Sequence, residues 1–292
     1  MEFDTENEPY QPLEKLCVLA PGLLGASVAM ACRKNRTAKS ITIWSRRASS
    51  RAKIVEQSWC DEVFDDPNQA AADADIVVIC APVDFVVPLY NEIRDYLRPG
   101  TIVTDVGSTK SLICRQASAA EGSSHHFVGS HPMAGSEKIG MEHGDKDLFV
   151  NRPCIVTPMG NAKDSTVRQV IRFWKSLGAL TFVKTPEDHD EIVANISHLP
   201  HLLASSLCHF LNGRPSDWEP LTSSGLHDTT RIASGDPSLW KAIIETNSDE
   251  IKRALSDYQD ELKHIQSALT NGNMLEVVSI LEKGKKYRDR LS

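Results

Sequence analysis

Three groups of residues in this 292-residue chain have the types and spacing that chemistry needs. The first is Ser130-His131-Pro132-Met133-Ala134-Gly135-Ser136-Glu137. An imidazole accepts a proton near neutrality, and a proline after it holds the His131 backbone extended and limits where the ring points. The second is Ala20-Pro21-Gly22-Leu23-Leu24-Gly25, a match to G-x-G-x-x-G with alanine at the first position. Between a strand and a helix, such a turn lets the backbone approach a pyrophosphate, which the helix N-terminus binds through unpaired N–H groups and its positive dipole end. Pro21 has no N–H to offer, whereas Gly22, Leu23 and Leu24 keep theirs. The third is Ser197-His198-Leu199-Pro200-His201, inside a helical pattern that Pro200 kinks by removing a backbone bond. Gly225-Leu226-His227-Asp228-Thr229-Thr230-Arg231-Ile232-Ala233 follows it.

The second strand bears on which dinucleotide the turn receives. Folds that bind NAD place an acidic residue about 20 residues beyond the glycines, where it accepts from the ribose 2′-hydroxyl. Here that strand ends in Ser45-Arg46-Arg47. A carboxylate would repel a 2′-phosphate, whereas a hydroxyl and two guanidiniums bind it through charge-assisted hydrogen bonds. The expected cofactor is NADP, with NAD possible; no metal is expected, because the His198/His201 pair has no third ligand at a suitable spacing.

These residues need a scaffold, and the hydrophobic pattern supplies one. Leu16–Ala20, Ile41–Trp44, Asp75–Ala81, Thr101–Val106 and His126–Gly129 read as buried strands, with helical spacing between them at Ala26–Lys34 and Val83–Leu97. Alternating strand and helix implies βαβ units and a parallel sheet, with His131 at its C-terminal edge facing a bound ligand. A further strand–helix–strand runs from Cys154–Thr157 through Asp164–Leu177 to Ala179–Val183. After Thr185 no strand pattern remains. Pro186-Glu187-Asp188 starts a helix, and Asp236-Pro237 caps a long one whose apolar face runs from Leu239 through Ile243, Ile251, Leu255, Tyr258, Leu262 and Ile265 to Leu269. The predicted architecture is α/β: a Rossmann-like N-terminal dinucleotide-binding domain over 14–185 and a C-terminal all-helical domain over 186–292, with the site in the cleft between them.

Composition narrows the function classes. With 41% hydrophobic and 24% charged residues the chain can build a globular core, and a net charge of -7 argues against a broad nucleic-acid-binding face. No apolar run is long enough to span a membrane, and the acidic start MEFDTENEPYQPLEK lacks the pattern of a secretory signal. Seven scattered cysteines without a C-x-x-C read as reduced core residues. A cytoplasmic protein is expected. His125, His126, His143, His189, His209 and His264 have no motif around them and are given no role.

Gly129-Ser-His-Pro-Met-Ala-Gly-Ser-Glu137, Ser197-His-Leu-Pro-His201 and Asp228-Thr-Thr-Arg-Ile-Ala233, taken together, resemble the prephenate dehydrogenase family, including its arogenate-using members. Asp105-Val106-Gly107-Ser108-Thr109-Lys110 and Pro237-Ser238-Leu239-Trp240 also look like that family, and the motifs come in its order. Ala20 stands where the family usually has glycine, and His227 where it often has arginine. The resemblance implies oxidative decarboxylation of prephenate to 4-hydroxyphenylpyruvate and carbon dioxide in tyrosine biosynthesis, or of arogenate to tyrosine. Hydride would leave ring C4 for the nicotinamide. By matching position, His131 would act on the C4 hydroxyl as base or acceptor, Ser108 would support that histidine and the hydroxyl, and Arg231 would clamp a substrate carboxylate. His201, Ser197 and Glu137 would complete the pocket, and Gly22, Leu23, Leu24, Gly25, Ser45, Arg46 and Arg47 would hold the dinucleotide. Lys110 is expected to be structural. The resemblance also implies a homodimer built through the helical domains.

Two other readings fit the same architecture. Another NADP-dependent dehydrogenase or imine reductase would work through a different group, commonly a lysine of the helical domain. A non-catalytic NADP sensor would bind cofactor without turnover.

Overall fold

The computed structural model describes residues 10–119, 126–135, 138 and 140–291. Its first half alternates β1 (Leu13–Leu19), α1 (Leu23–Asn35), β2 (Ala38–Trp44), α2 (Ala48–Val55), β3 (Glu62–Phe64), α3 (Pro67–Ala71), β4 (Ile76–Ile79), α4 (Val83–Ile93), β5 (Ile102–Asp105), α5 (Ser111–Ser118) and β6 (His126–Phe127). The six strands form one parallel sheet in the order β3-β2-β1-β4-β5-β6. The order reverses between β1 and β4, and the crevice at such a switch point is where open α/β sheets take their ligands.

Strand periodicity explains why both faces of this sheet are covered. Leu16 and Val18 of β1, with Ile76 and Val78 of β4, point into a core shared with α1 and α6 (Asp164–Ser176). Cys17 and Leu19, with Val77 and Ile79, point into the opposite core under α3, α4 and α5. Successive side chains of a strand face opposite ways, so these apolar runs without alternation are the signature of a strand buried on both sides.

A second, three-stranded sheet holds β7 (Gly129–Pro132), β8 (Pro153–Thr157) and β9 (Leu180–Val183). β7 runs antiparallel to β8, and β8 parallel to β9. This corrects one expectation. The run His126–Gly129 divides at Val128, and His131 lies within β7 opposite Ile155 instead of at the edge of the parallel sheet. A short apolar run reports burial but not which strand it pairs with.

The second half contains α7 (Pro186–Val193), a π-helical turn over Ala194–His198, α8 (Leu199–Asn212), α9 (Ser224–Thr230), α10 (Pro237–Thr246), α11 (Ser248–Thr270) and α12 (Met274–Asp289). Thr185 caps α7 by accepting from Asp188 N at 3.0 Å, and Asp236 caps α10 by accepting from Ser238 N at 2.7 Å. The expected kink at Pro200 takes the form of the π turn: proline cannot donate to the carbonyl four residues back, and the ladder widens there. The apolar stripe from Leu239 to Leu269 is not one helix. It breaks at Asn247, whose backbone leaves the helical region (φ -125°, ψ 28°) while the spacing of three and four continues across the break. Among the described residues no helix is long and apolar enough to cross a membrane.

Candidate active site

The loop after β5 is the anchor of the site. Asp105, fully buried at the end of the strand, accepts from Gly107 N at 2.9 Å and from Ser130 N at 3.0 Å, and pairs with the ammonium of Lys110. Five residues apart on a tight loop, this pair joins β5 to the start of α5 and to β7. Lys110, expected to be structural, is buried in this ion pair.

From β7 the His131 ring reaches the helical half of the chain. Its Nδ1 lies 2.8 Å from Nε2 of His189 on α7, and His189 Nδ1 lies 2.8 Å from Asp190 Oδ1. The Asp190 carboxylate also accepts from the backbone N–H of Lys110 (2.7 Å) and of Ser111 (2.9 Å). Burial pushes the His131 imidazole well below the ordinary histidine range, and His189 and the Lys110 charge push the same way. Burial also lowers His189, against the opposing pull of Asp190. Burial raises Asp190, but the bonds from His189, Lys110 and Ser111 outweigh it and hold the carboxyl below its usual value. At neutral pH both rings are therefore uncharged and the carboxylate is ionised. Among the described residues nothing hydrogen-bonds His131 Nε2, so that atom is the one available to a ligand.

Further support comes from the junction of α10 and α11. Asn247 Nδ2 donates to the Asp190 carbonyl at 2.9 Å and toward His198 Nδ1 at 3.2 Å. His198 is buried and neutral, its imidazole lowered by burial to about 4. Thr246 and Thr109 join hydroxyls at 2.9 Å, tying α10 to the β5 loop. The first two bonds join α7, the π turn and the α10–α11 junction to one another, and the third ties them to the β5 loop.

The glycine turn sits where the switch point requires. Gly25 packs so closely that a Cβ there would meet Cys80 Cβ at 3.1 Å and Val18 Cγ1 at 3.2 Å, whereas a Cβ on Gly22 would meet nothing within 4 Å. The first is close helix–sheet packing and the second an open face. No side chain caps α1, which leaves its N-terminus to a ligand. Gly22 N–H itself donates to the Ala20 carbonyl at 2.9 Å, so Leu23 and Leu24 offer the free donors. Ala20 adopts φ 61°, the left-handed region that a first glycine would occupy without strain. Ser45 is buried at the end of β2, and Arg51 donates to the Ser45 and Arg46 carbonyls at 2.9 and 3.0 Å. Arg46 and Arg47 are exposed and have no side-chain partner among the described residues. Gly135, beyond His131, places its Cβ position 3.9 Å from Leu24 Cδ2. The loop that follows the histidine therefore reaches the dinucleotide turn.

The remaining expected residues divide. Ser108 lies half-buried in the β5 loop and makes no hydrogen bond to His131; His189 takes that place. His201 is buried with its ring stacked on Trp240 at 3.5 Å between centroids. Gly235 is required beside that stack, because a Cβ would lie 2.5 Å from Trp240 Nε1 and 3.1 Å from His201 Cε1. Ser197 is half-buried on the π turn. Arg231 is exposed and has no ion pair among the described residues. It lines a cavity of about 490 Å³ with Cys208, His227, Asp228, Thr230 and Ser234, and His131 is not in that lining. Ser136 and Glu137 fall outside the described residues.

His189, Asp190 and Asn247 were not singled out by sequence reasoning. A histidine–aspartate pair one turn into a capped helix was the one available signal, and only the docking of α7 against β7 gives it meaning. Cys17, Cys32, Cys114 and Cys154 are buried, and burial pushes Cys17 up to about 12 and Cys114 up to about 11; Cys60 and Cys80 are half-buried, Cys208 is exposed, against the expectation of a core residue, and all seven are unpaired.

With this geometry in hand, comparison with known proteins adds the family context. Residues 28–183 match the family model described as prephenate dehydrogenase, nucleotide-binding domain, and residues 185–283 match prephenate dehydrogenase, dimerization domain. The chain is 30% identical over 275 residues to the prephenate dehydrogenase of Bacillus subtilis, covering 92% of this chain and 74% of that one. The crystal structure of prephenate dehydrogenase from A. aeolicus in complex with hydroxyphenyl propionate and NAD+ superposes with a TM-score of 0.90 at 25% identity, over 97% of this chain and 100% of the other. The Synechocystis arogenate dehydrogenase structure is similar at a TM-score of 0.83 and 31% identity, over 95% of this chain and 100% of the other.

Proposed function

The chain belongs to the prephenate dehydrogenase family, and on that premise we propose that it oxidatively decarboxylates prephenate to 4-hydroxyphenylpyruvate with NADP as its preferred hydride acceptor. It is an oxidoreductase that uses a nicotinamide dinucleotide. The observation that carries the reading of the site is His131, held by a buried partner through Nδ1 with Nε2 left open, on a strand whose following loop touches the glycine turn.

The chain's residues divide the work as follows. Leu23 and Leu24 N–H groups at the start of α1 bind the pyrophosphate, and Ser45, Arg46 and Arg47 bind the 2′-phosphate. When bound, the nicotinamide supplies the hydride acceptor. His131 Nε2 takes the proton of the ring hydroxyl as the hydride leaves the same carbon, which turns that carbon into a carbonyl. Loss of the ring carboxylate as carbon dioxide then aromatises the product. Arg231, exposed and without an ion pair among the described residues, binds a substrate carboxylate through its bidentate fork; Ser108, Ser197, His201 and Glu137 are assigned to the pocket as the family resemblance implies. A second reading, arogenate as substrate, is favoured by the 31% identity to the Synechocystis arogenate dehydrogenase.

A homodimer follows from the same premise. The model matching 185–283 is a dimerization domain, and the helical half leaves large apolar side chains in the open, with Leu275 86% and Leu281 67% exposed on α12 and Leu269 54% exposed on α11. Covering such side chains against a partner removes apolar surface from water.

The test is direct. Purified protein is mixed with prephenate or arogenate and with NADP or NAD, and reduced cofactor is followed by absorbance, with His131→Asn as control. Turnover of prephenate, abolished in the variant and more efficient with NADP, is the expected result. No turnover of either substrate despite dinucleotide binding overturns the assignment.

A further inference from the structure

The bond between His131 and His189 crosses from one half of the chain to the other. His131 stands on β7 with the sheets, whereas His189 and Asp190 stand on α7, the first helix of the second half. The three groups are buried, and their donors and acceptors can be assigned in order. Asp190 Oδ1 and Oδ2 already accept backbone N–H groups, so the ionised carboxylate can only accept at His189 Nδ1, which must carry the hydrogen. A neutral His189 then presents its lone pair at Nε2. The atom 2.8 Å away is His131 Nδ1, which must be a donor. The remaining nitrogen of His131, Nε2, is left with its lone pair outward.

We propose that His189 and Asp190 are positioning residues that hold His131 in the Nδ1–H tautomer and receive its Nδ1 proton when Nε2 is protonated. The proposal rests on the assignment of His131 as the proton acceptor. The step balances: the substrate O–H bond breaks and His131 Nε2–H forms, while His131 Nδ1–H breaks and His189 Nε2–H forms. The positive charge comes to rest on His189 beside the Asp190 carboxylate. The helical half of the chain thereby fixes which nitrogen of a histidine on the other half can act. This is the tautomer control that a buried carboxylate exerts on a catalytic histidine, here transmitted through a second imidazole.

The groups around the pair support this distribution. Lys110, from the β5 loop, opposes a charge on either ring, and Asp105 beside it favours one on His189. His198, from the π turn, also disfavours charge on His131. Cys154, on β8, is buried with its thiol well above the ordinary range, so it adds no anion. The resting state is two neutral rings and one carboxylate.

Two measurements test the assignment. In the unmodified protein, long-range ¹⁵N–¹H NMR of the histidine rings is expected to show His131 protonated at Nδ1 and bare at Nε2. A His131 protonated at Nε2, or a His189 charged at neutral pH, overturns the proposal whether or not the enzyme turns over prephenate. The second is kinetic. Asp190→Asn and His189→Leu are expected to lower kcat about 10- to 100-fold, less than the roughly 10²–10⁴-fold that a general base itself contributes, with KM held within about threefold and the acid limb of the pH profile displaced. His189→Gln, whose Oε1 can accept from His131 Nδ1 but cannot take up its proton, is expected to fall between these and the unmodified protein. Unchanged kcat and pH profile in folded His189→Leu overturns the relay. If the variants do not fold, the NMR result decides. If the unmodified enzyme turns over neither prephenate nor arogenate, the functional reading fails while the tautomer result still stands.

Discussion

Asp105 and Lys110 form an ion pair in which neither side chain has any solvent exposure. The pair lies beneath the loop that carries Ser108 and gives its backbone N–H to Asp190. Removing one partner leaves a buried charge uncompensated, which costs about 3–5 kcal/mol. Lys110→Met should therefore lower the free energy of unfolding by that amount in urea titration. A loss under about 1 kcal/mol, the value of an exposed pair, would show that Asp105 finds another partner.

Cofactor choice tests the arginines after β2. The Arg46 side chain is exposed and has no partner among the described residues, so a charge reversal there is read through the ligand. Arg46→Asp removes a charge-assisted bond to a 2′-phosphate, worth about 1.5–3 kcal/mol, and adds repulsion. The ratio of kcat/KM for NADP over NAD should fall at least about tenfold by that arithmetic. Equal efficiencies in the unmodified enzyme would count against the role given to Ser45-Arg46-Arg47.

The glycine turn carries two opposite expectations. Ala20 holds φ 61°, which costs a non-glycine residue roughly 1–2 kcal/mol, so Ala20→Gly should stabilise the fold by about 0.5–1 kcal/mol after the added freedom of the unfolded chain is counted. Gly25→Ala should do the reverse, because the new methyl meets Cys80 and Val18 at 3.1 and 3.2 Å; overpacking of this kind costs about 1–3 kcal/mol. Melting temperatures and dinucleotide affinity for the two variants measure both. An Ala20→Gly protein no more stable than the parent would mean that the αL conformation is not strained here.

Acid should destabilise the protein through its buried histidines. His131, His189 and His198 have folded values below the ordinary one, His198 at about 4. Between that value and about 6.5 the unfolded chain binds more protons than the folded one, so stability rises with pH. The contribution is fully present above about pH 6.5 and is lost as the pH falls toward 4, with His198 alone worth on the order of 3 kcal/mol. Unfolding free energies at pH 7, 6 and 5 should decline along that slope, and His198→Gln should flatten it. A parent protein equally stable at pH 7 and pH 5 would refute this account.

Much of the architecture is written locally. A glycine turn between an apolar strand and a helix, strands without alternation, and the capped starts at Thr185 and Asp236 are each decided by neighbours in sequence. They suffice for a dinucleotide-binding sheet followed by helices. Residue type and motif also nominate candidates for the chemistry: His131, Arg231 and Ser45-Arg46-Arg47.

Pairings between distant segments are another matter. That His131 sits in an antiparallel ladder, that the stripe from Leu239 breaks at Asn247, and that His189 meets His131 depend on how α7, β7 and the β5 loop pack. Local hydrophobic spacing is the same for a strand in either sheet and continues across a one-residue helix break. A hydrogen bond between residues 131 and 189 has no local signature at all. The sequence alone determined which groups were available for chemistry. The tertiary structure decided which nitrogen of His131 is free to use, because a tautomer is chosen by the partner that packing brings within 2.8 Å.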